Sequence, residues 1–432
     1  MKKVLIITYY WPPCGGAGVQ RWLKFVKYLR DFGWEPIVYT AEGGEMPVVD
    51  ESLAKDIPAG VEVIKHPIWE PYSIYKKFTG QKKEARLSTG FPTASVNKTF
   101  TQKLSVWLRG NLFIPDARML WIKPSQKRLA KYLQHNKVDA IVSTGPPHSM
   151  HLIALKLQKQ FNIPWLADFR DPWTNIDFYH ELMLTPFADK MHKKLEQKVI
   201  RNADKLLVVG NTMKEEFEAL SERKVDVITN GYDDADVSNA IVELDKQFSI
   251  AHIGTFAQSR NPEKLWECLS ELVTENKEFA ADLEIKLVGK VDGFVMADIN
   301  KHNLIAYVNR IEYLPHSEVT QVQRQTQILL LMLNNTPNAK GILTGKFFEY
   351  MAAQRPVLCI GPVDGDAVVI LKDSKAGEVF SFEDKTNLKT YLLKAYSAFK
   401  QNQLTVSSTG VEKYSRKALT KQLAILLNDM TK

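Results

Sequence analysis

The sequence predicts an α/β protein built from two successive doubly wound domains, each a parallel sheet wrapped by helices. Three observations lead there. The chain has 432 residues, more than one hydrophobic core usually serves. Short β-type apolar runs alternate with amphipathic stretches of helical length, the pattern of strand–helix–strand crossovers. The alternation breaks once, at the acidic, turn-rich stretch Asn230, Gly231, Asp233, Asp234 and Asp236, and then begins again.

In the first series Val4 to Thr8 reads as a strand, and Trp22, Phe25, Val26 and Leu29 recur at helical spacing within Gln20 to Asp31. Gly33 ends that helix and Glu35 to Thr40 is the next strand. The alternation continues with strands at Val138 to Ser143, Trp165 to Ala167, Leu206 to Val209 and Val225 to Ile228, and helices at Met150 to Gln160 and Phe187 to Arg201. In the second series Ser249 to Ile253, Ile285 to Val288, Ile328 to Leu333, Val357 to Ile360 and Glu378 to Phe380 read as strands. Its helices are Pro262 to Glu275, opened by Asn261 with proline in first position, Lys346 to Ala353, and Thr386 to Phe399. The expected division is 1–235 and 236–410, with a terminal helix in 411–432 packing back on the first domain.

Composition narrows the function classes. Hydrophobic residues are 45% and charged residues 25%, the balance of a soluble globular chain. No apolar run approaches the roughly 18 residues of a membrane span. The run Val4 to Ile7 leads into Trp11-Pro12-Pro13 without a cleavage-type small-residue site, so it is read as a strand and not a signal peptide. Cys14, Cys268 and Cys359 are odd in number and far apart, which suits neither a disulfide framework nor a zinc site, and points to a reducing cytoplasm. The net charge of +8 is uneven. Between Tyr72 and Gly110 stand Lys76, Lys77, Lys82, Lys83, Arg86, Lys98, Lys103 and Arg109 against Glu84, so this segment carries 8 − 1 = +7. Tyr72, Tyr75, Phe78, Phe91, Phe100 and Trp107 are interleaved with it. The segment reads either as an anionic-membrane dock or as a solvated basic insertion. Nucleic acid is disfavoured, because the patch is local and no binding motif accompanies it.

Ligands of open α/β sheets bind beyond the carboxyl ends of the strands. After the first strand Gly15, Gly16 and Gly18 form a glycine-rich loop whose N–H groups, at a helix start, suit a phosphate or sugar. Arg21 occupies the place of a dinucleotide fingerprint's third glycine, which disfavours NAD. Gly341 to Lys346 has the look of a P-loop, but Phe347 stands where a magnesium-binding hydroxyl is needed, so an ATPase is excluded. Thr344, Gly345 and Lys346 at a helix start suit a diphosphate held without a metal, and Glu349 suits two ribose hydroxyls. His148 follows the turn Gly145-Pro146-Pro147. Asp168, Arg170, Asp171 and Trp173 follow another strand, forming either an internal salt-bridge network or a polyol-recognition site. No serine triad, paired-carboxylate site or His/Cys metal site is legible.

Taken together, Tyr9-Tyr10-Trp11-Pro12-Pro13 with its glycine loop, Gly145-Pro-Pro-His148-Ser, Ala167-Asp-Phe-Arg-Asp-Pro-Trp173, Thr229-Asn-Gly231, Ile253-Gly-Thr-Phe256 and Lys346-Phe-Phe-Glu349-Tyr-Met-Ala-Ala-Gln-Arg-Pro356-Val resemble a GT-B glycosyltransferase. They are most similar to the retaining family 4 enzymes of bacteria. The resemblance covers nearly the whole chain. It implies two Rossmann-like domains facing a cleft, with a nucleotide sugar bound by the second and the acceptor by the first. It also implies that the leaving phosphate assists the acceptor hydroxyl on the same face. Gly16, Gly18, Thr255, Thr344, Gly345 and Glu349 then fall on the donor side, and His148, Arg260 and Lys346 are the candidate catalytic residues. Arg21, Asp168, Arg170, Asp171 and Trp173 are candidates for the acceptor or sugar side. The family's basic pair falls on Thr255 and Arg260, and its glutamate pair on Gly341 and Glu349, so one member of each is lacking.

The expected activity is hexosyl transfer from a nucleotide sugar to a glycan or lipid-linked acceptor in surface polysaccharide assembly, with no cofactor and no metal. The expected location is cytoplasmic, peripheral on the inner face of the membrane. Other GT-B activities, an inverting transferase or a nucleotide-sugar epimerase, stay open, as does a non-catalytic nucleotide-sugar-binding protein.

Overall fold

The computed structural model describes residues 1–46, 48–70, 100–176, 178–237, 242–312, 314 and 316–432. They form two compact units, Met1–Thr229 with Arg416–Lys432, and Asn230–Ser415. The basic insertion singled out above falls outside the described residues over 72–99.

In the first unit, strands β1 (Lys2–Ile7), β2 (Trp34–Glu42), β3 (Glu62–Pro67), β4 (Ala140–Gly145), β5 (Trp165–Phe169), β6 (Lys205–Val208) and β7 (Asp226–Val227) make one parallel sheet in the order β3-β2-β1-β4-β5-β6-β7. Val4 to Ile7 of β1 are fully buried, as expected of a central parallel strand covered on both faces. Val4 registers with Pro36 of β2 and with Ala140 of β4. The helix Ala17–Leu29 packs Trp22, Phe25, Val26 and Leu29 onto one face of this sheet. After one short 3₁₀ turn the chain reverses at Gly33, whose φ of 82° is the left-handed conformation that glycine adopts cheaply.

The second unit repeats the plan. Strands β8 (Phe248–Ile253), β9 (Leu283–Val288), β10 (Val308–Ile311), β11 (Ile328–Met332), β12 (Val357–Ile360) and β13 (Gly377–Phe380) lie parallel in the order β10-β9-β8-β11-β12-β13. In each sheet the strand order reverses beside the first strand of the unit, the topological switch point where ligands of such sheets bind.

Three departures from the sequence reading bear on where the units and their helices begin and end. The first unit closes at Thr229, not at 235, because the acidic turn belongs to the second unit. There Asn230 Nδ2 donates to the Leu343 carbonyl at 3.1 Å, and Tyr232 pairs with Ser415. The terminal helix is Arg416–Met430, and it buries Leu419, Leu423, Ala424 and Leu427 in the first unit's core; a 3₁₀ turn, Val411–Tyr414, precedes it in the second unit. The helix of the second unit begins at Glu263, not at Pro262. Asn261 is occupied elsewhere: it accepts from Trp266 Nε1 at 2.9 Å and donates to Asp298 at 2.6 Å.

Candidate active site

In the first unit, three loops leave the carboxyl ends of β1, β4 and β5. Arg170 ties them together. Its Nη1 donates to the Gly18 carbonyl at 2.7 Å, its Nη2 to the Pro146 carbonyl, and its backbone N–H to the Gly145 carbonyl at 2.9 Å. A guanidinium suits the task because its planar fork has five donors fixed relative to one another. Its Nε–H also faces the Gly145 carbonyl at 3.4 Å, so the fork holds the three loops together.

The glycine loop is shaped by the same contacts. Gly16 caps the helix Ala17–Leu29 with φ +90°, a conformation that strains any other residue, and no side chain caps this helix end. A Cβ on Gly18 would meet Arg170 Nη1 at 3.1 Å and the Tyr10 ring at 3.2 Å. Gly18 is therefore glycine for packing, while Gly16 lies at the helix start where an anion fits.

Asp168 is fully buried at the end of β5. It accepts from Arg21 Nη2 at 2.9 Å, Trp22 Nε1 at 2.7 Å and Thr144 Oγ1 at 2.8 Å. Arg21, also buried, gives its Nη1 to the Thr229 carbonyl at 2.8 Å. Of the two readings of this cluster, the internal network is the one seen. Arg21 and Asp168 are thus corrected from the acceptor side, since every atom that would read a sugar is turned inward. Asp171 is exposed.

His148 lies at the start of the helix Ser149–Phe161, its ring flat on the buried Trp173 indole at 4.6 Å and 3°. Trp173 donates to His192 Nδ1 at 3.3 Å, which leaves the Nε2–H of that ring for the Gly110 carbonyl at 3.3 Å. Burial, then the neighbouring His151, Arg170 and His192, hold His148 well below the usual imidazole range. The buried ring is thereby held neutral. Its Nδ1, like Nε2 of the buried His151, has no partner among the described residues.

Both nitrogens flank Gly145, where a Cβ would stand 2.6 Å from His151 Nε2 and 2.9 Å from His148 Nδ1. Gly145→Ala is therefore expected to cost about 1–3 kcal/mol, the usual range for overpacking a tight core. Urea denaturation checks it, and an unchanged midpoint would show that the two rings move aside freely.

In the second unit the site gathers where β8 ends. Gly254, with φ +111°, leaves room for the Lys346 side chain, and a Cβ there would collide with its ammonium. Lys346 is the second residue of the helix Gly345–Ala352, whose Tyr350 hydroxyl accepts the Ile253 N–H at 3.0 Å and so pins this helix to the end of β8. Burial pushes Lys346 down to about 8, helped by Arg260 and opposed by Glu349. Arg260 is held by Asn334 Oδ1 at 2.7 Å from its Nε. Thr344 caps the helix with its backbone only, and its Oγ1 is buried without a partner among the described residues.

His252 donates Nδ1–H to the Leu330 carbonyl at 3.1 Å. Its ring is held at about 3, chiefly by burial and then by Lys346, so it adds no charge. Glu349 sits one turn into the helix beside Gly345, partly buried, and Thr255 is exposed. The structure therefore brings Lys346, Arg260, Thr344, Gly345 and Glu349 into one cluster. Sequence reasoning missed Gly254, His252, Asn334 and Tyr350. Only Gly254 had a visible signal, a glycine directly after a strand.

Two doubly wound parallel sheets in series, with chemistry-bearing loops at the switch point of each, define the GT-B fold. Residues 93–236 match the family model described as Glycosyltransferase Family 4. Sucrose-phosphate synthase from Thermosynechococcus elongatus is structurally similar, with a TM-score of 0.62 at 14% identity over 100% of this chain and 99% of that one. So is Anabaena HepE in complex with UDP-glucose, with a TM-score of 0.55 at 11% identity over 100% of this chain and 98% of that one. TarM from S. aureus, in complex with fondaparinux, α-GlcNAc-glycerol and UDP, gives a TM-score of 0.59 at 12% identity over 99% of this chain and 100% of that one. No curated protein matches the chain in sequence. The chain thus has the GT-B fold, and its segment 93–236 is similar to the Glycosyltransferase Family 4 model.

Proposed function

We propose that the chain moves a hexose from a nucleotide-sugar donor, with retention at the anomeric carbon, to a glycan or lipid-linked acceptor in surface polysaccharide assembly. The observation that carries this reading is the Lys346 cluster. A partly buried ammonium with Arg260 acting on it, and the positive end of a helix, form a site for a diphosphate, and the carboxylate of Glu349 one turn away suits ribose hydroxyls. Cleavage of the sugar–phosphate bond builds negative charge on the departing diphosphate. Groups already fixed around that charge stabilise it without reorganising. Lys346 supplies the charge that the residue at Thr255 lacks, and no resident metal is part of the proposal. The UDP and UDP-glucose held by the structurally similar proteins support a nucleotide-sugar donor here.

His148 takes the sugar-side role. As a neutral imidazole stacked on Trp173 it orients a hydroxyl and neither gives nor takes a proton. His148→Ala is accordingly expected to keep the nucleotide affinity within about twofold while transfer falls by about 10²-fold, the loss typical of a misplaced reactant. Calorimetry with the nucleotide and product assay on the same preparation check this; loss of nucleotide affinity would place His148 elsewhere. The stereochemical part is tested by NMR of the first-formed product: the donor's anomeric configuration is expected, and its inversion would replace this reading with an inverting transferase.

A further inference from the structure

The helix Pro186–Asn202 turns one face inward, burying Ala188, His192, Glu196, Val199 and Ile200. Its outer face carries Phe187, Lys190, Lys194, Lys198 and Arg201, spaced three or four residues apart and so on one side of the helix, all exposed. The transfer chemistry uses none of them. The carboxylates of this helix do not neutralise the stripe. Glu196 is buried and accepts from Thr174 at 2.6 Å, and Asp189 is held by Lys193 at 2.8 Å and by Tyr179 at 3.0 Å. Lys190, Lys194, Lys198 and Arg201 make no ion pair among the described residues.

At the amino end of the stripe three large apolar side chains stand in solvent: Phe187 at 72% exposure, Leu112 at 58% and Met183 at 45%. They are neighbours by construction. Asn111 Nδ2 donates to the Met183 carbonyl at 3.2 Å and Asn111 Oδ1 accepts the Thr185 N–H at 2.7 Å, which binds the end of the helix Phe100–Leu112 to the loop that leads into Phe187.

We propose that this face docks the enzyme on an anionic lipid bilayer, with Phe187, Met183 and Leu112 entering the headgroup boundary and Lys190, Lys194, Lys198 and Arg201 meeting lipid phosphates. Charge complementarity selects the occupant. A stripe of one sign without an exposed unpaired carboxylate matches a surface of uniform opposite charge, whereas a protein partner needs interspersed signs and a larger apolar core. A nucleic acid accounts for the cations but leaves the Met183–Leu112–Phe187 end without a role. The inference extends the lipid-linked acceptor of the proposed function, and it stands whether or not the donor assignment does.

The test is flotation of the full chain with phosphatidylglycerol-rich vesicles and with pure phosphatidylcholine vesicles. Binding is expected to the first at low salt and to weaken as salt screens the cations. The Lys190→Gln, Lys194→Gln, Lys198→Gln, Arg201→Gln variant is expected to bind at least about tenfold more weakly, since it removes the four cations that face the headgroups. The quadruple Lys/Arg exchange, which keeps every charge, is expected to bind as the native chain does. Phe187→Ser alone is expected to remove the salt-resistant part. Nucleotide affinity is expected to be unchanged in all three, which separates this inference from the donor site. It is overturned if the native chain ignores anionic vesicles at low salt, if the Gln variant binds as well as the native chain, or if the stripe retains RNA while ignoring vesicles.

Discussion

Replacing Lys346 with Ala is expected to lower turnover by about 10²–10³-fold, the range for removing one preorganised group from a developing anion. The Michaelis constant for the donor is expected to rise much less, because the diphosphate carries more charge in the transition state than in the bound donor. Gly254→Ala is expected to have nearly the same effect, because its Cβ evicts the ammonium from its seat and its φ of +111° strains any Cβ. The two changes are not additive, since they remove one interaction. Equal activity in a folded Arg260→Ala, Lys346→Ala double variant would exclude both from the mechanism.

The same lysine gives a pH dependence whose sign follows from its environment. Burial and Arg260 hold Lys346 at about 8, so the ammonium is present below that pH and is lost above it. Affinity for a nucleoside diphosphate is then expected to fall about tenfold between pH 7 and 9. His252, held at about 3, stays neutral throughout this window and contributes no slope. In Lys346→Ala the profile is expected to be flat. A native profile that is equally flat would show that the ammonium is not the group meeting the phosphate.

Asp168→Ala is expected to cost about 3–5 kcal/mol of stability, the loss found when one partner of a buried ion pair is removed. Arg21 would be left charged inside the core, with only the Thr229 carbonyl to accept from it, and the Trp22 indole and Thr144 hydroxyl would lose their common acceptor. Because β5, the helix Ala17–Leu29 and the end of β4 all meet at this carboxylate, the loss is cooperative. Urea denaturation followed by tryptophan fluorescence measures it. A change below about 1 kcal/mol would mean that water or a shifted side chain satisfies Arg21.

The fold was legible wherever strands ran apolar and central, as at Val4 to Ile7, Ile328 to Met332 and Val357 to Ile360, because a strand covered on both faces is hydrophobic along its length. It was illegible at the edges. The strand Glu62–Pro67 is half solvated and carries few apolar side chains, and the helix Met119–Leu133 holds Pro124 in its interior, which reads as a break. The domain boundary was misplaced by six residues because turn-forming residues mark where the chain bends, while Tyr232 and Ser415, far apart in sequence, decide which unit the bend joins.

The candidate site was legible as loops and not as roles. Glycine, charge and aromatic residues after strands located the right segments. Yet Asp168, near the end of strand β5, and Arg170, just beyond its end, do opposite things, one anchoring a buried guanidinium and the other clamping carbonyls. Alternation along an extended chain places both on the same side and does not say what meets them. Lys346 became interpretable only once Gly254 was seen to make room for it.

The most direct test of the account is calorimetric titration of the native chain and of Glu349→Gln with UDP, GDP, ADP and their hexose conjugates, followed by assay of sugar release from whichever conjugate binds. The native chain is expected to bind one nucleotide series and to release its sugar. Glu349→Gln is expected to bind it more weakly by about 1.5–3 kcal/mol, the contribution of hydrogen bonds to a charged acceptor. Binding of none of the conjugates, or binding that Glu349→Gln leaves unchanged, would contradict the placement of the donor on the Lys346 cluster.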